Sequence, residues 1–271
     1  MPGIAVFGKI IYNMKHFLGK LFFKISRTVL KKFGFSINLG SANSGFPELN
    51  TDELEFIRSV HSASLTMTSF ESTVTLALAC KYIEASGTLG DFVEAGVWRG
   101  GSSIIARGFL NRHRNFYLYD TFKGMTEPTV HDFRIGETNS NLTFKRWQDM
   151  QNSHFNSWVF SSLDEVKANF ERFKLLDDKI EFIEGNVLET LTQPKLPQSI
   201  ALLRLDTDFY DSTLIELQVL WPKLSIGGVL ILDDYGHWDG ARKAVDEYFA
   251  TGIKSFKIPI SGGGGRLVIK C

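Results

Sequence analysis

Between residues 91 and 270 the chain alternates two hydrophobic rhythms. Short apolar runs recur at 91–97, 116–120, 180–184, 200–206, 228–233, 256–260 and 266–270, the length and spacing of buried strands. Most are separated by stretches long enough for a helix, notably 102–112, 163–173, 212–224 and 241–250. Strand and helix in alternation predict a largely parallel, doubly wound α/β sheet of about seven strands, covered on both faces. The last two runs are joined only by Ser261 and four glycines. That link is too short for a parallel crossover, so they should form an antiparallel hairpin near one edge. Residues 126–159 break the alternation with polar and aromatic positions, among them His131, Trp147, His154 and Trp158; such an excursion after a strand end reads as an active-site lid.

Residues 4–35 follow a third pattern. Phe17, Leu21, Phe22, Ile25, Val29 and Phe33 fall between Lys9, Lys15, Lys20, Lys24, Arg27 and Lys31 at roughly helical spacing. A basic amphipathic helix of this kind either docks on protein, its own domain or another subunit, or lies in the headgroup plane of an anionic membrane. The Ser/Gly/Pro/Asn-rich stretch 41–47 marks the boundary, dividing an arm and linker (1–47) from one domain (48–271).

Composition narrows the function classes. Lys plus Arg equals Asp plus Glu at 30 each, so there is no global basic field to suggest nucleic acid. Cys80 and Cys271 are the only cysteines and have neither CxxC spacing nor a histidine cluster nearby; free thiols, no zinc site and a cytoplasmic setting are expected. No run approaches the roughly 20 apolar residues of a membrane span, and the N-terminus lacks a secretory signal pattern.

In an open α/β sheet, ligands bind beyond the carboxyl ends of the strands. The first run leads through Glu94, Gly96, Gly100 and Gly101 into a helix, a turn that suits an anionic group at the helix N-terminus. Trp98 and Arg99 stand where a dinucleotide fingerprint needs open backbone, which disfavours a nicotinamide cofactor. Asp120 closes the second run, where a carboxylate can accept from ribose hydroxyls. Asp206 and Asp208 close the fourth run, Asp233 and Asp234 the fifth, so four carboxylates face one rim. Burying that charge unpartnered is prohibitive, and a hard cation such as magnesium is the economical partner. Helix capping is the ordinary alternative, with Asp211, Ser212 and Asp239 available for it instead.

Five segments are similar to one known family. Met67-Thr-Ser-Phe-Glu71, Phe92-Val-Glu-Ala-Gly-Val-Trp-Arg-Gly-Gly-Ser-Ser103, Tyr119-Asp-Thr-Phe-Lys-Gly124, Leu203-Arg-Leu-Asp-Thr-Asp-Phe-Tyr-Asp-Ser-Thr213 and Leu224-Ser-Ile-Gly-Gly-Val-Leu-Ile-Leu-Asp-Asp-Tyr-Gly236 resemble the macrocin O-methyltransferase family over about 66–249. The resemblance implies a class I methyltransferase fold and Mg2+-assisted methylation of a sugar hydroxyl on a glycosylated natural product or glycan. It implies that S-adenosylmethionine is held by Glu94, Gly96, Trp98, Gly100, Gly101 and Ser102, with Asp120 and Thr121 at its ribose. It implies Mg2+ on Asp206, Asp233 and Asp234, Asp208 as general base, and a dimer or larger homo-oligomer; His237, just beyond the fifth run, is a rival base. The basic arm is not part of the family pattern, and the 126–159 excursion offers no motif to match. Two rivals from other classes are a metal-dependent phosphoester hydrolase, which has no use for the glycine turn and Asp120 together, and a non-catalytic module of a glycan-assembly complex.

Overall fold

A computed structural model describes residues 45–194, 196–250 and 256–271. The chain divides into two compact units, Met1–Pro47 and Glu48–Cys271; the arm expected over 4–35 lies outside the described residues, and the second unit is described below. Its helices are α1 (Thr51–Ser62), α2 (Phe70–Ser86), α3 (Gly101–Phe109), α4 (Asn141–Asp149), α5 (Leu163–Arg172), α6 (Val187–Thr190), α7 (Tyr210–Leu220) and α8 (Asp239–Ala250). Its strands are β1 (Asp91–Ala95), β2 (Phe116–Asp120), β3 (Ile180–Glu184), β4 (Ile200–Leu205), β5 (Leu224–Leu232), β6 (Ile258–Pro259) and β7 (Arg266–Ile269).

The seven strands form one sheet in the order β3-β2-β1-β4-β5-β7-β6. β1 to β5 are parallel, and β7 runs antiparallel to both β5 and β6, the predicted class I methyltransferase arrangement. Alternation along each strand builds the two cores. Val93, Ala95, Leu203, Leu205, Leu230 and Leu232 pack with Leu217 and Leu220 of α7 and Val245 and Phe249 of α8. Phe92, the neighbour of Val93 on β1, points the other way and meets Phe116 at 4.6 Å between ring centroids; α2 lies against β4 and β5 and packs on α3. The chain leaves β1 toward β2 and β3 on one side and returns to β4 and β5 on the other, so the carboxyl ends of β1 and β4 flank the switch point where such sheets bind ligands.

Several boundaries differ from the sequence pattern for local reasons. α3 stops at Phe109, three residues before Arg112, because the buried Arg107 guanidinium donates to the carbonyls of Arg112 and Arg114 and folds that tail back. α7 spans Tyr210–Leu220 rather than 212–224; Pro222 cannot continue an α-helix, and Trp221–Lys223 is a single 3-10 turn. Neither Asp211 nor Ser212 caps α7, whose N-cap is Phe209; Asp132 of the 126–159 excursion does so instead, accepting from Tyr210 N at 2.7 Å. β5 begins four residues early, across a register shift opposite Ile200/Leu202. β6 is reduced to two residues ending at Pro259, which has no N–H to pair.

Two helices lie in a stretch to which the apolar runs assigned no element. α1 opens with a reciprocal cap, Asn50 Oδ1 accepting from Glu53 N at 2.9 Å and Glu53 Oε2 from Asn50 N at 2.7 Å. α2 opens on Ser69, which accepts from Ser72 N. The 126–159 excursion contains α4 and is anchored: Trp158 packs with Phe209, Trp238 and Ala241, and Arg134 bridges Trp238. Cys80 is buried and Cys271 exposed, both free thiols. No described helix is long and apolar enough to cross a membrane.

Candidate active site

A cavity of about 430 Å³ opens at the switch point. The glycine turn makes one wall. Gly96 sits at φ +85°, and a Cβ there would fall 1.9 Å from the carbonyl oxygen of Asp206; the backbones leaving β1 and β4 are in contact. Gly101 clears the carbonyl of Leu65 in the same way, at 2.3 Å, and Gly100 faces Val166 and Phe170 of α5. These glycines were expected to clear space for a ligand, yet the space they clear is filled by neighbouring protein. Gly96, Trp98, Gly101 and Ser102 line the cavity, whereas Glu94 and Gly100 are not on its wall.

Asp120 and Thr121 line it as well. Asp120 Oδ2 accepts from Val97 N (2.7 Å) and Trp98 N (2.9 Å), and Oδ1 from Phe122 N (2.8 Å). Asp120 therefore holds the turn in shape and retains lone pairs for further donors. Burial holds its carboxyl above the ordinary carboxylate range despite those bonds.

The acidic cluster lines the same cavity. One oxygen from each of Asp206, Asp233 and Asp234 lies within 4.8 Å of the other two. Asp208 lines the same cavity, at an uncommon φ of +66° that is held by its N–H donating to Asp234 Oδ2 at 3.0 Å. Burial pushes the Asp208 carboxyl up to about 7, with the charge of Asp206 adding to the push. Asp234 lies well above its ordinary range through burial and then through Asp208 and Asp233. Asp206 does too, burial outweighing the pull of Arg204. His237 is exposed on the rim, and its Nε2 accepts from Gly264 N at 3.0 Å.

Arg204 is the residue that counting carboxylates overlooked. It is 2% exposed and donates to Glu94 (2.6 Å), Asp206 (2.7 Å), Asp233 (2.9 Å) and Thr68 (3.1 Å). Glu94 lies between Arg204 and Ser103 Oγ, 1% exposed, with its carboxyl held above the ordinary range by burial in spite of both partners. Expected as a cofactor contact, Glu94 instead lies behind the wall, where it braces Arg204. A lone basic residue inside the apolar run of β4 was the available signal. Two further walls went unforeseen: residues 66–69 before α2, and the glycine turn 262–265 between β6 and β7.

The donor set fits a hard dication. Glu94, Asp206, Asp208, Asp233 and Asp234 outnumber the one guanidinium bonded among them, and an oxygen-only set suits magnesium.

Comparison with known proteins gives a consistent answer. The family model for macrocin O-methyltransferase (TylF) matches residues 47–260. An 8-demethyl-8-(2,3-dimethoxy-alpha-L-rhamnosyl)-tetracenomycin-C 4'-O-methyltransferase from Streptomyces olivaceus is 37% identical over 192 residues, 69% of this chain and 68% of that protein. Demethyldecarbamoylnovobiocin O-methyltransferase from Streptomyces niveus is 38% identical over 166 residues, 59% of this chain and 58% of that protein. The solved structure of the O-methyltransferase NovP superposes with a TM-score of 0.66 at 31% identity, covering 76% of this chain and 82% of that one. An O-methyltransferase from Bacillus cereus in complex with SAH shares the fold at 15% identity, with a TM-score of 0.51 over 84% of this chain and 95% of that one.

Proposed function

The chain belongs to the macrocin O-methyltransferase family and is an S-adenosylmethionine-dependent O-methyltransferase; from that premise we propose that it methylates a sugar hydroxyl of a glycosylated natural product or glycan, with Mg2+ or a similar dication held by Asp206, Asp233 and Asp234. The observation that carries this reading is that a single cavity is lined both by the Asp120-braced turn and by the acidic cluster with Asp208. The rhamnosyl group in the name of the Streptomyces olivaceus relative supports a sugar acceptor.

S-adenosylmethionine supplies an electrophilic methyl group, and a dication supplies Lewis-acid stabilisation of an alkoxide and orients neighbouring hydroxyls. The protein's part is to hold and to deprotonate. The turn from Gly96 to Ser102 would seat the cofactor, with Asp120 and Thr121 at its ribose. Asp208, which lines the same cavity beside the acidic cluster, would take the hydroxyl proton as a general base. His237 is less well placed as a base, because its Nε2 lone pair already accepts from Gly264 N–H. The 126–159 segment, anchored through Trp158 and Trp238, would act as the lid that reads the substrate.

A panel of glycosides incubated with a labelled methyl donor tests the assignment. Label should enter a sugar hydroxyl, cease with EDTA and return with Mg2+, and Asp208→Asn should lose about 10²- to 10⁴-fold in turnover while S-adenosylhomocysteine still binds. Methylation that survives exhaustive chelation would remove the dication from the reading, and full activity in Asp208→Asn would remove the base.

A further inference from the structure

Resting on the dication reading above, a second conclusion concerns the buried arginine. Nη1 of Arg204 donates to Glu94 Oε1 and Asp206 Oδ2, and Nη2 donates to Thr68 Oγ1 and Asp233 Oδ1. One planar, rigid fork therefore ties together β1, the carboxyl ends of β4 and β5, and the segment before α2. It occupies one oxygen of Asp206 and one of Asp233, leaving each a second oxygen for other partners.

By charge alone this placement is perverse, since a guanidinium beside a dication site repels the ion. Its presence makes sense if the order it imposes outweighs that repulsion. We propose that Arg204 is a positioning residue that presets the Asp206–Asp233–Asp234 cage for a divalent cation, acting through hydrogen-bond geometry rather than through its charge. Glu94, braced by Ser103, offsets the guanidinium charge and fixes the fork from behind.

A charge-balanced substitution separates geometry from charge. Arg204→Met combined with Glu94→Gln removes one positive and one negative group, so the net charge around the cage is unchanged while the fork is lost. Arg204→Lys keeps the charge but cannot bond two carboxylates in the same planar fashion. Mg2+ is titrated calorimetrically into the full-length chain, with circular dichroism and the melting midpoint reporting the fold. The double variant should bind Mg2+ at least tenfold more weakly than wild type and Arg204→Lys at least fivefold more weakly, with S-adenosylhomocysteine affinity in Arg204→Lys within about threefold of wild type. Unchanged or tighter Mg2+ binding in either folded variant overturns the proposal, as does loss of the fold in both, which would make Arg204 a core residue only. Absence of Mg2+ binding in wild type is a different result: it removes the dication reading itself.

Discussion

Gly96→Ala is the substitution from which the geometry predicts most. Gly96 lies at φ +85° with its missing Cβ 1.9 Å from Asp206 O and 2.6 Å from Asp206 C, so two costs add. An L-residue in the left-handed region costs roughly 1 to 2 kcal/mol, and forcing a methyl into packed backbone about 1 to 3 kcal/mol more. Backbone cannot swing aside as a side chain can, so the upper half of the combined range, about 3.5 to 5 kcal/mol, is expected. For a domain of this size that is on the order of 10 °C in melting temperature. Gly136 provides the control: φ is +97° but nothing lies within 4 Å of a Cβ there. Gly136→Ala should pay the conformational cost alone and melt only a few degrees below wild type. Differential scanning calorimetry of the two variants measures the difference directly. S-adenosylhomocysteine affinity should also fall in Gly96→Ala, because pushing Asp206 away displaces the turn with it. If both variants melt within about 2 °C of each other, contact between the two strand ends is not what requires glycine at 96.

Asp120→Ala leaves the amides of Val97, Trp98 and Phe122 without their acceptor, at about 1 to 3 kcal/mol for each that stays buried; melting temperature and S-adenosylhomocysteine affinity should fall together, and lost affinity with unchanged melting would make Asp120 a ligand contact only. Asp132→Ala removes the α7 cap and the bonds to Thr129, and should cost about 1 to 2 kcal/mol and speed proteolysis within 126–159. Burial holds the Asp132 carboxyl above its ordinary 3.8 despite those bonds, so its stabilising contribution is full below the unfolded value and is lost as pH rises through the folded one. Denaturant midpoints across that interval should therefore fall more steeply with pH in wild type than in Asp132→Asn, and equal slopes would refute the assignment.

The fold was legible because its strands are short, apolar and evenly punctuated. β2 and β3 fall where the pattern puts them, at Phe116–Asp120 and Ile180–Glu184. The hairpin followed from a connection too short for anything else. The differences at α3, α7 and β6 have local causes that an apolar pattern does not register: the Arg107 guanidinium folding back the residues after α3, and a proline at each of the other two. Asp132 capping α7 from 78 residues away has no local signature at all. α1 and α2 precede the first strand, outside the strand–helix alternation, although Asn50, Glu53 and Ser69 carry their caps and α2 buries Val74, Leu76, Ala77, Cys80 and Ile83.

The site shows the same division between what a chain lists and what folding brings together. Strand-end carboxylates can be counted in sequence, and Asp206, Asp233 and Asp234 do converge. The sequence does not reveal that the Cβ position of Gly96 is filled by the Asp206 carbonyl, nor that Arg204 already answers part of the charge. Arg204 supplies an internal positive charge to Glu94, Asp206 and Asp233, so a bound dication is not the sole partner of the buried carboxylates. Arg204 also leaves an excess of carboxylates, with Asp206, Asp208 and Asp234 all held above their ordinary range by burial and mutual repulsion. A cluster that was neutralised in full would have no electrostatic reason to bind a cation, and one with no internal cation would be costly to assemble before the ion arrived. Arg204 puts the cluster between those limits, assembled by the protein yet still short of positive charge on the side that faces the cavity.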